Sequence, residues 1–267
     1  TLDVRDESSV TALAERKAFS HIFHLAAVLS TSGERDPVLA HRVNVDGSLA
    51  VLELARACTN RHGRAPVVLF PSTIAVYGVP EFVDKEAVAP VGEDEFPQPI
   101  TMYGINKRYV EELGGYYARS FALLGETAAP PIDFRAIRFP GLISAHSLPS
   151  GGTSDYGPEM FHAGARGERY RCFVEPNASL PFLMMPDAVT ALTALAEAPA
   201  EALTRRVFNV QAFSMRADEL AAVARRAFPA LEVDYEVHPA RNRIVRSWPA
   251  RLDDSAFRAS VRWSPRW

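Results

Sequence analysis

Apolar residues arrive along this chain in short solid runs separated by longer stretches of helical spacing. The run HIFHLAAVLS (His21 to Ser30) is followed by small residues and Gly33, the pattern of a strand buried on both faces of a parallel sheet, and it is expected to end near Ala27. Asp36 then Pro37 predicts a helix start by N-cap and N1 preference. Val38, Leu39, Val43, Val45, Leu49, Leu52, Leu54 and Ala57 carry that helix to Gly63. Gly47 lies inside it, where glycine costs about 1 kcal/mol relative to alanine, so a close neighbour is expected, with packing on the sheet the simplest choice. PVVLFPST (Pro66 to Thr73) predicts a second buried strand, and the Pro-, Glu- and Asp-rich stretch from Val79 to Ile100 reads as a surface loop.

A second long helix is predicted from YGINK (Tyr103 to Lys107) to about Leu124, and its Gly114-Gly115 pair suggests a close helix neighbour, the first long helix of the same or another subunit. IDFRAIRFPG (Ile132 to Gly141) is a third strand ending in a Pro-Gly break. Strands alternating with long crossovers imply an α/β chain with a doubly wound parallel sheet. Shorter elements follow: a helix from about Pro158 to Gly167, strands at Tyr170 to Val174 and Phe182 to Met185, and a helix from Asp187 to about Ala198. A core strand at Val207 to Gln211 and an amphipathic helix from Ala217 to Phe228 complete the pattern.

Composition narrows the function classes. With 267 residues, 48% apolar and 23% charged, the chain is ordinary for a globular protein. Its net charge of -3 provides no broad basic surface for nucleic acid. The local cluster Arg241, Arg243, Arg246 and Arg251 reads as solvated surface. Cys58 and Cys172 have no metal-ligand spacing and form no disulfide framework, so no metal is expected and a reduced, cytoplasmic setting fits. No apolar run is long enough to span a bilayer, so no membrane partner is expected.

The candidate chemistry lies in Tyr103 and Lys107, with Ser72 and Thr73 just upstream in FPSTIAVYG. Residues at i and i+4 share a helical face. A phenol with an ordinary pKa of about 10 is a poor base at neutral pH, and an ammonium beside it favours the phenolate. A hydroxyl at the end of the adjacent strand could hold a substrate oxygen in line. Ser72 or Thr73 could equally satisfy a backbone group.

The ordered set HLAA (His24 to Ala27), NVDGS (Asn44 to Ser48), PSTIAVYG, YGINK and RFPG (Arg138 to Gly141) resembles the extended short-chain dehydrogenase/reductase superfamily, the NAD-dependent epimerases and dehydratases. GGTSDYGPEMFHA (Gly151 to Ala163), NASLPFLMMPDA (Asn177 to Ala188) and SWPARLDDS (Ser247 to Ser255) are similar to its L-threonine 3-dehydrogenase branch. That resemblance implies a Rossmann-type domain over 1–143 and 180–212 and a small substrate-binding domain over 144–179 and 213–267. It implies NAD as cofactor and oxidation of the C3 hydroxyl of L-threonine to 2-amino-3-ketobutyrate. Tyr103 would be the base, Lys107 would lower its pKa and bind the nicotinamide ribose, and Thr73, with Ser72 beside it, would orient the hydroxyl. Leu25, Ala26 and Ala27 would line the dinucleotide site, with Asn44 supporting the strand and Pro140, Gly141 and Leu142 passing the nicotinamide. Asp3 and Val4 would meet the adenine. Ser30, Thr153 and Ser154 would contact the amino acid, and Trp248 would close the pocket. A homodimer through helices 36–63 and 101–124 is also implied.

One departure stands against the pattern. Members of this superfamily hold the pyrophosphate on a GxxGxxG turn, and this sequence contains none. TLDVRD looks like the end of a third strand and WSPRW like a cut before a terminal helix, so the chain is expected to be part of a longer gene product. On that expectation the strand at His21 presents an unpaired edge, the isolated chain is marginal or aggregates, dinucleotide affinity is poor, and NAD is not separated from NADP. A sugar-nucleotide epimerase or dehydratase and a catalytically silent dinucleotide-binding protein stay open as alternatives.

Overall fold

The computed structural model describes residues 2–125 and 132–267. Two short helices, α1 (Glu7–Thr11) and α2 (Leu13–Arg16), precede strand β1 (His21–Phe23). Helices α3 (Ser30–Arg35), α4 (Pro37–His41) and α5 (Gly47–His62) lead to β2 (Val67–Thr73). Helix α6 (Met102–Arg119) then leads to β3 (Asp133–Phe139) and β4 (Gly141–Ile143). The remainder runs α7 (Tyr156–Arg166), β5 (Tyr170–Cys172), β6 (Ser179–Met184), α8 (Met185–Glu197), β7 (Val207–Asn209) and β8 (Phe213–Arg216). Helix α9 (Ala217–Ala227), β9 (Val233–Tyr235), α10 (Pro239–Arg246) and α11 (Ser255–Val261) finish it.

Strands β1, β2, β3 and β7 lie side by side, all parallel. Helices cover both faces, which explains why β2 and β3 are buried, including the charged Arg135 and Arg138 of β3. Phe70 and Phe134 pack under Leu52, Leu54 and Val110 of α5 and α6. On the other face Leu69, Ile137 and Phe208 pack under Leu195 of α8 and Phe257 of α11. The fold is therefore α/β and doubly wound. A three-stranded sheet, β4-β6-β8, and a two-stranded pair, β5-β9, carry a further core around Tyr156, Phe182, Leu220 and Trp248. Among the described residues β1 pairs only with β2, so its outer edge is open, as expected, with Phe23 and Leu25 exposed beside it.

Several expectations are corrected. Strand β1 stops at Phe23, short of Ala27, because Asn44 binds the backbone of Val28 and draws the following residues out of the ladder. The helix from Pro37 to His62 is interrupted by a π turn at Arg42–Asp46, which aims Asn44 at that backbone. The close neighbour of Gly47 is Val4, whose methyl would stand 2.7 Å from a Cβ there; it is not the sheet. At Gly114 the neighbour is the Phe134 ring of β3, which would stand 2.5 Å from a Cβ at that position, and not a helix. Helix α6 ends at Arg119, short of Leu124. Residues 2–6, read as a strand end, contain no strand, and Thr1 lies outside the described residues.

The segment from Val79 to Ile100 is not confined to the surface: Val79, Lys85, Val91 and Glu93 are buried. Its backbone is laced to the C-terminal part, with Val79 N donating to Ser247 O at 2.7 Å and Val91 N to Arg251 O at 3.0 Å. Arg241 also departs from the solvated cluster, since its guanidinium lies 3.2 Å from the centroid of the Phe173 ring.

Candidate active site

Strand β2 delivers Thr73 to a tight turn, Ile74–Val76, where Thr73 Oγ1 accepts a hydrogen bond from Ala75 N at 3.1 Å. The hydroxyl thus caps the turn and still has its own hydrogen to donate. Helix α6 begins against the same turn. Thr101 Oγ1 accepts from Gly104 N at 3.1 Å, and Glu34 Oε1 accepts from Met102 N at 2.8 Å. Gly104 makes the approach possible, because a Cβ there would stand 2.0 Å from Ala75 O. Backbone contact at Gly104 is what places Tyr103 beside Thr73. Lys107 follows one turn later, with Nζ donating to Pro71 O at 2.7 Å, 4.2 Å from the Phe70 ring centroid and 5.7 Å from that of Tyr103.

Burial dominates the electrostatics. It pushes the Tyr103 phenol up to about 12, with the Thr73 hydroxyl acting the other way. It lowers Lys107 to about 7, with Glu111 pulling upward. His24, bonded through Nε2 to Ser48 Oγ at 2.8 Å, is lowered to about 4 by burial and then by Lys107. Each group is driven toward its neutral form.

Thr73, Tyr103 and Lys107 line a cavity of about 250 Å³ together with Leu25, Ala27 and Ser72. The far wall is made by Ser30, Thr153, Ser154 and Trp248, and the side by Pro140 and Leu142. Ser30 and Thr153 bond each other through their hydroxyls at 3.0 Å, and Thr153 N donates to Ser30 Oγ at 3.2 Å. Trp248 is buried, and its indole N–H has no partner among the described residues. Ser72 makes a different contact from Thr73: its hydroxyl donates to the buried Glu111 at 2.5 Å. Asp3, Val4, Ala26, Asn44 and Gly141 do not line the cavity. Asp3 pairs with Arg5, which holds its carboxyl at about 2. Asn44 clamps Val28 through both its side-chain oxygen and nitrogen, at 2.8 and 3.0 Å.

Sequence reasoning missed Asp155, whose Oδ2 accepts from Gly151 N and Gly152 N at 3.0 and 2.6 Å and so shapes the loop bearing Thr153. The Gly-Gly before an Asp was the available signal. It also missed Arg241, which donates to Gly152 O at 2.9 Å.

The lining would suit the nicotinamide and ribose end of a dinucleotide, with the buried Lys107 amine beside apolar walls at Leu25, Pro140 and Leu142. The pyrophosphate has no glycine-rich turn in this sequence. Among the described residues no group of three or more His, Cys, Asp or Glu could hold a metal. Nor is any described helix long and apolar enough to cross a membrane.

Comparisons with known proteins bear on the family and the fold. The model of the NAD dependent epimerase/dehydratase family matches residues 1–210. The mitochondrial L-threonine 3-dehydrogenase of Bos taurus is 34% identical over 261 residues, which is 98% of this chain and 65% of that protein. The chain thus spans 65% of the length of that curated relative. Among solved structures, the holo form of a GalE-like L-threonine dehydrogenase from Cupriavidus necator is 34% identical with a TM-score of 0.85, over 100% of this chain and 80% of that one. A monomeric L-threonine 3-dehydrogenase from a metagenome is 32% identical with a TM-score of 0.86, over 100% and 80%. Motif order, parallel sheet and family match coincide, and the chain belongs to the NAD dependent epimerase/dehydratase family.

Proposed function

We propose that the protein oxidises the C3 hydroxyl of L-threonine to 2-amino-3-ketobutyrate, with NAD as acceptor. The observation that carries the reading is that Thr73, Tyr103 and Lys107 share one cavity with the Ser30–Thr153 pair and the unpartnered Trp248 indole. A bound nicotinamide supplies the hydride acceptor. Thr73 donates its free hydroxyl hydrogen to the substrate oxygen and fixes it near Tyr103. Tyr103, as phenolate, takes the C3 hydroxyl proton. Lys107 holds the ribose and, as an ammonium, opposes the burial that raises the phenol. Ser30, Thr153 and Ser154 hold the amino acid's polar end, and Trp248 closes the pocket.

On this reading residues 1–143 and 180–212 form the dinucleotide side and 144–179 with 213–267 the substrate side. Exposed Val38, Ile105 and Tyr109 on helices 36–63 and 101–124 support pairing with a second copy, although one similar structure is described as monomeric. Free, buried Cys58 and Cys172 accord with a reducing compartment such as the cytoplasm. The test is NADH formation by the product of the complete coding sequence with L-threonine, L-serine and a UDP-sugar. Threonine is expected to be oxidised, with kcat down roughly 10²–10⁴-fold in Tyr103→Phe. Turnover with the UDP-sugar and none with threonine would overturn the assignment, and full activity in Thr153→Ala would remove Thr153 from it.

A further inference from the structure

Lys85 lies in the Val79–Ile100 segment and is only 6% exposed. Its ammonium donates to three main-chain carbonyls: Ser179 O at 2.7 Å, Val245 O at 3.0 Å and Trp248 O at 3.0 Å. Three convergent acceptors use all three ammonium hydrogens, which makes the side chain a tripod and not a loose surface charge. The acceptors come from separate places: the first residue of β6, the last turn of α10, and the tryptophan in the cavity wall.

The neighbouring contacts point the same way. Helix α10 is held at its other end by Arg241, which donates to Gly152 O in the loop before Thr153. Both ends of that helix are thus tied to walls of the same cavity. Burial lowers Lys85 to about 7, with Glu86 raising and Arg246 lowering it further, so the buried ammonium costs stability. A costly cation that touches no substrate surface, yet fixes the backbone of a cavity residue, is better explained by placement than by stability.

We propose that Lys85 is a positioning residue that sets the place of Trp248 and thereby the affinity of the cavity for its substrate. The kinetic half rests on the threonine reading; the placement of Trp248 does not. The test uses the product of the complete coding sequence with Lys85→Met and Lys85→Gln, the second retaining two donors and serving for both measurements if the first does not fold.

Amide hydrogen exchange at residues 245–248 is expected to quicken by about tenfold or more in Lys85→Met, with β2 and β3 unchanged. KM for L-threonine is expected to rise about tenfold with kcat within about threefold and KM for NAD unaltered. In a Trp248→Phe background the added effect of Lys85→Met on KM should shrink to less than about twofold, because the route through Trp248 is gone. Unchanged exchange at 245–248 overturns the proposal whatever the substrate, and quickened exchange with an unmoved KM overturns its affinity half. If the wild-type protein does not oxidise threonine while exchange at 245–248 quickens in the variants, the placement role stands and the threonine reading falls.

Discussion

Arg138→Met should be among the most destabilising single substitutions in the sheet. Arg138 donates from Nε and Nη2 to the two carboxylate oxygens of Glu111, at 2.9 and 2.6 Å. From Nη1 it donates to Tyr77 Oη at 2.9 Å and to Glu93 O at 2.6 Å. The two charged side chains are 2% and 1% exposed. Methionine fills much of the volume but strands Glu111, whose remaining partners are Ser72 Oγ and a longer contact to Arg108 at 3.3 Å. Breaking one side of a buried pair costs about 3–5 kcal/mol, most of it the uncompensated charge. At about 2–4 °C per kcal/mol for a chain near this size, the melting temperature should fall by roughly 10 °C. Adding Glu111→Gln removes the stranded charge, so urea unfolding should show the double variant less destabilised than the sum of the singles by at least about 1 kcal/mol. An Arg138→Met protein within about 1 kcal/mol of wild type, or strict additivity in the double, would refute the argument.

Other predictions concern charge and close approach. Because His24 is lowered from 6.5 to about 4, below pH 6.5 the unfolded chain binds a proton that the folded chain refuses. Stability should therefore drop by about 3 kcal/mol as pH falls from 6.5 to 4, and His24→Gln should flatten that limb in urea titrations. Gly114→Ala puts a methyl into the Phe134 ring and should cost about 1–3 kcal/mol in the same assay. Gly104→Ala meets the carbonyl of Ala75, which cannot rotate away, so it should separate Tyr103 from Thr73 and lower kcat by about 10²-fold. Near-normal turnover in Gly104→Ala would mean that the backbone contact does not set the catalytic geometry.

The parts of the fold that follow from periodicity were legible. Val67–Thr73 and Asp133–Phe139 fall inside the predicted runs, the first because a strand buried on both faces is mostly apolar, the second because Phe134, Ala136 and Ile137 carry the signal despite the buried Arg135 and Arg138. Convergence of Thr73 with Tyr103 and Lys107 was legible from motif order. What escaped depends on partners far away in sequence. Ser72 and Thr73 read alike, yet only a partner 39 residues on, Glu111, distinguishes the first. A segment rich in Pro, Glu and Asp reads as surface, and Lys85 is buried there because three carbonyls happen to converge from Ser179, Val245 and Trp248. Gly47 and Gly114 announced close neighbours without naming them, since a missing Cβ records that space is needed and not who fills it.

The direction of the shifts in the cavity constrains how a substrate would lie. Tyr103 and Lys107 are both displaced toward their neutral forms, so the side of the cavity they line disfavours charge of either sign. L-threonine carries a carboxylate and an ammonium on one carbon and an uncharged hydroxyl on the next. Of these only the hydroxyl can go inward without a desolvation cost that Thr73 and Tyr103 could not offset. On the proposed threonine reading the charged end would then face the wall of Ser30, Thr153 and Ser154, of which Ser154 is part-exposed. Asp155 lies on that wall too, but Gly151 N and Gly152 N already engage its carboxylate. On that reading the wall offers hydroxyl donors to a carboxylate more readily than a free anion to an ammonium, and the C3 hydroxyl would lie on the side of Thr73 and Tyr103.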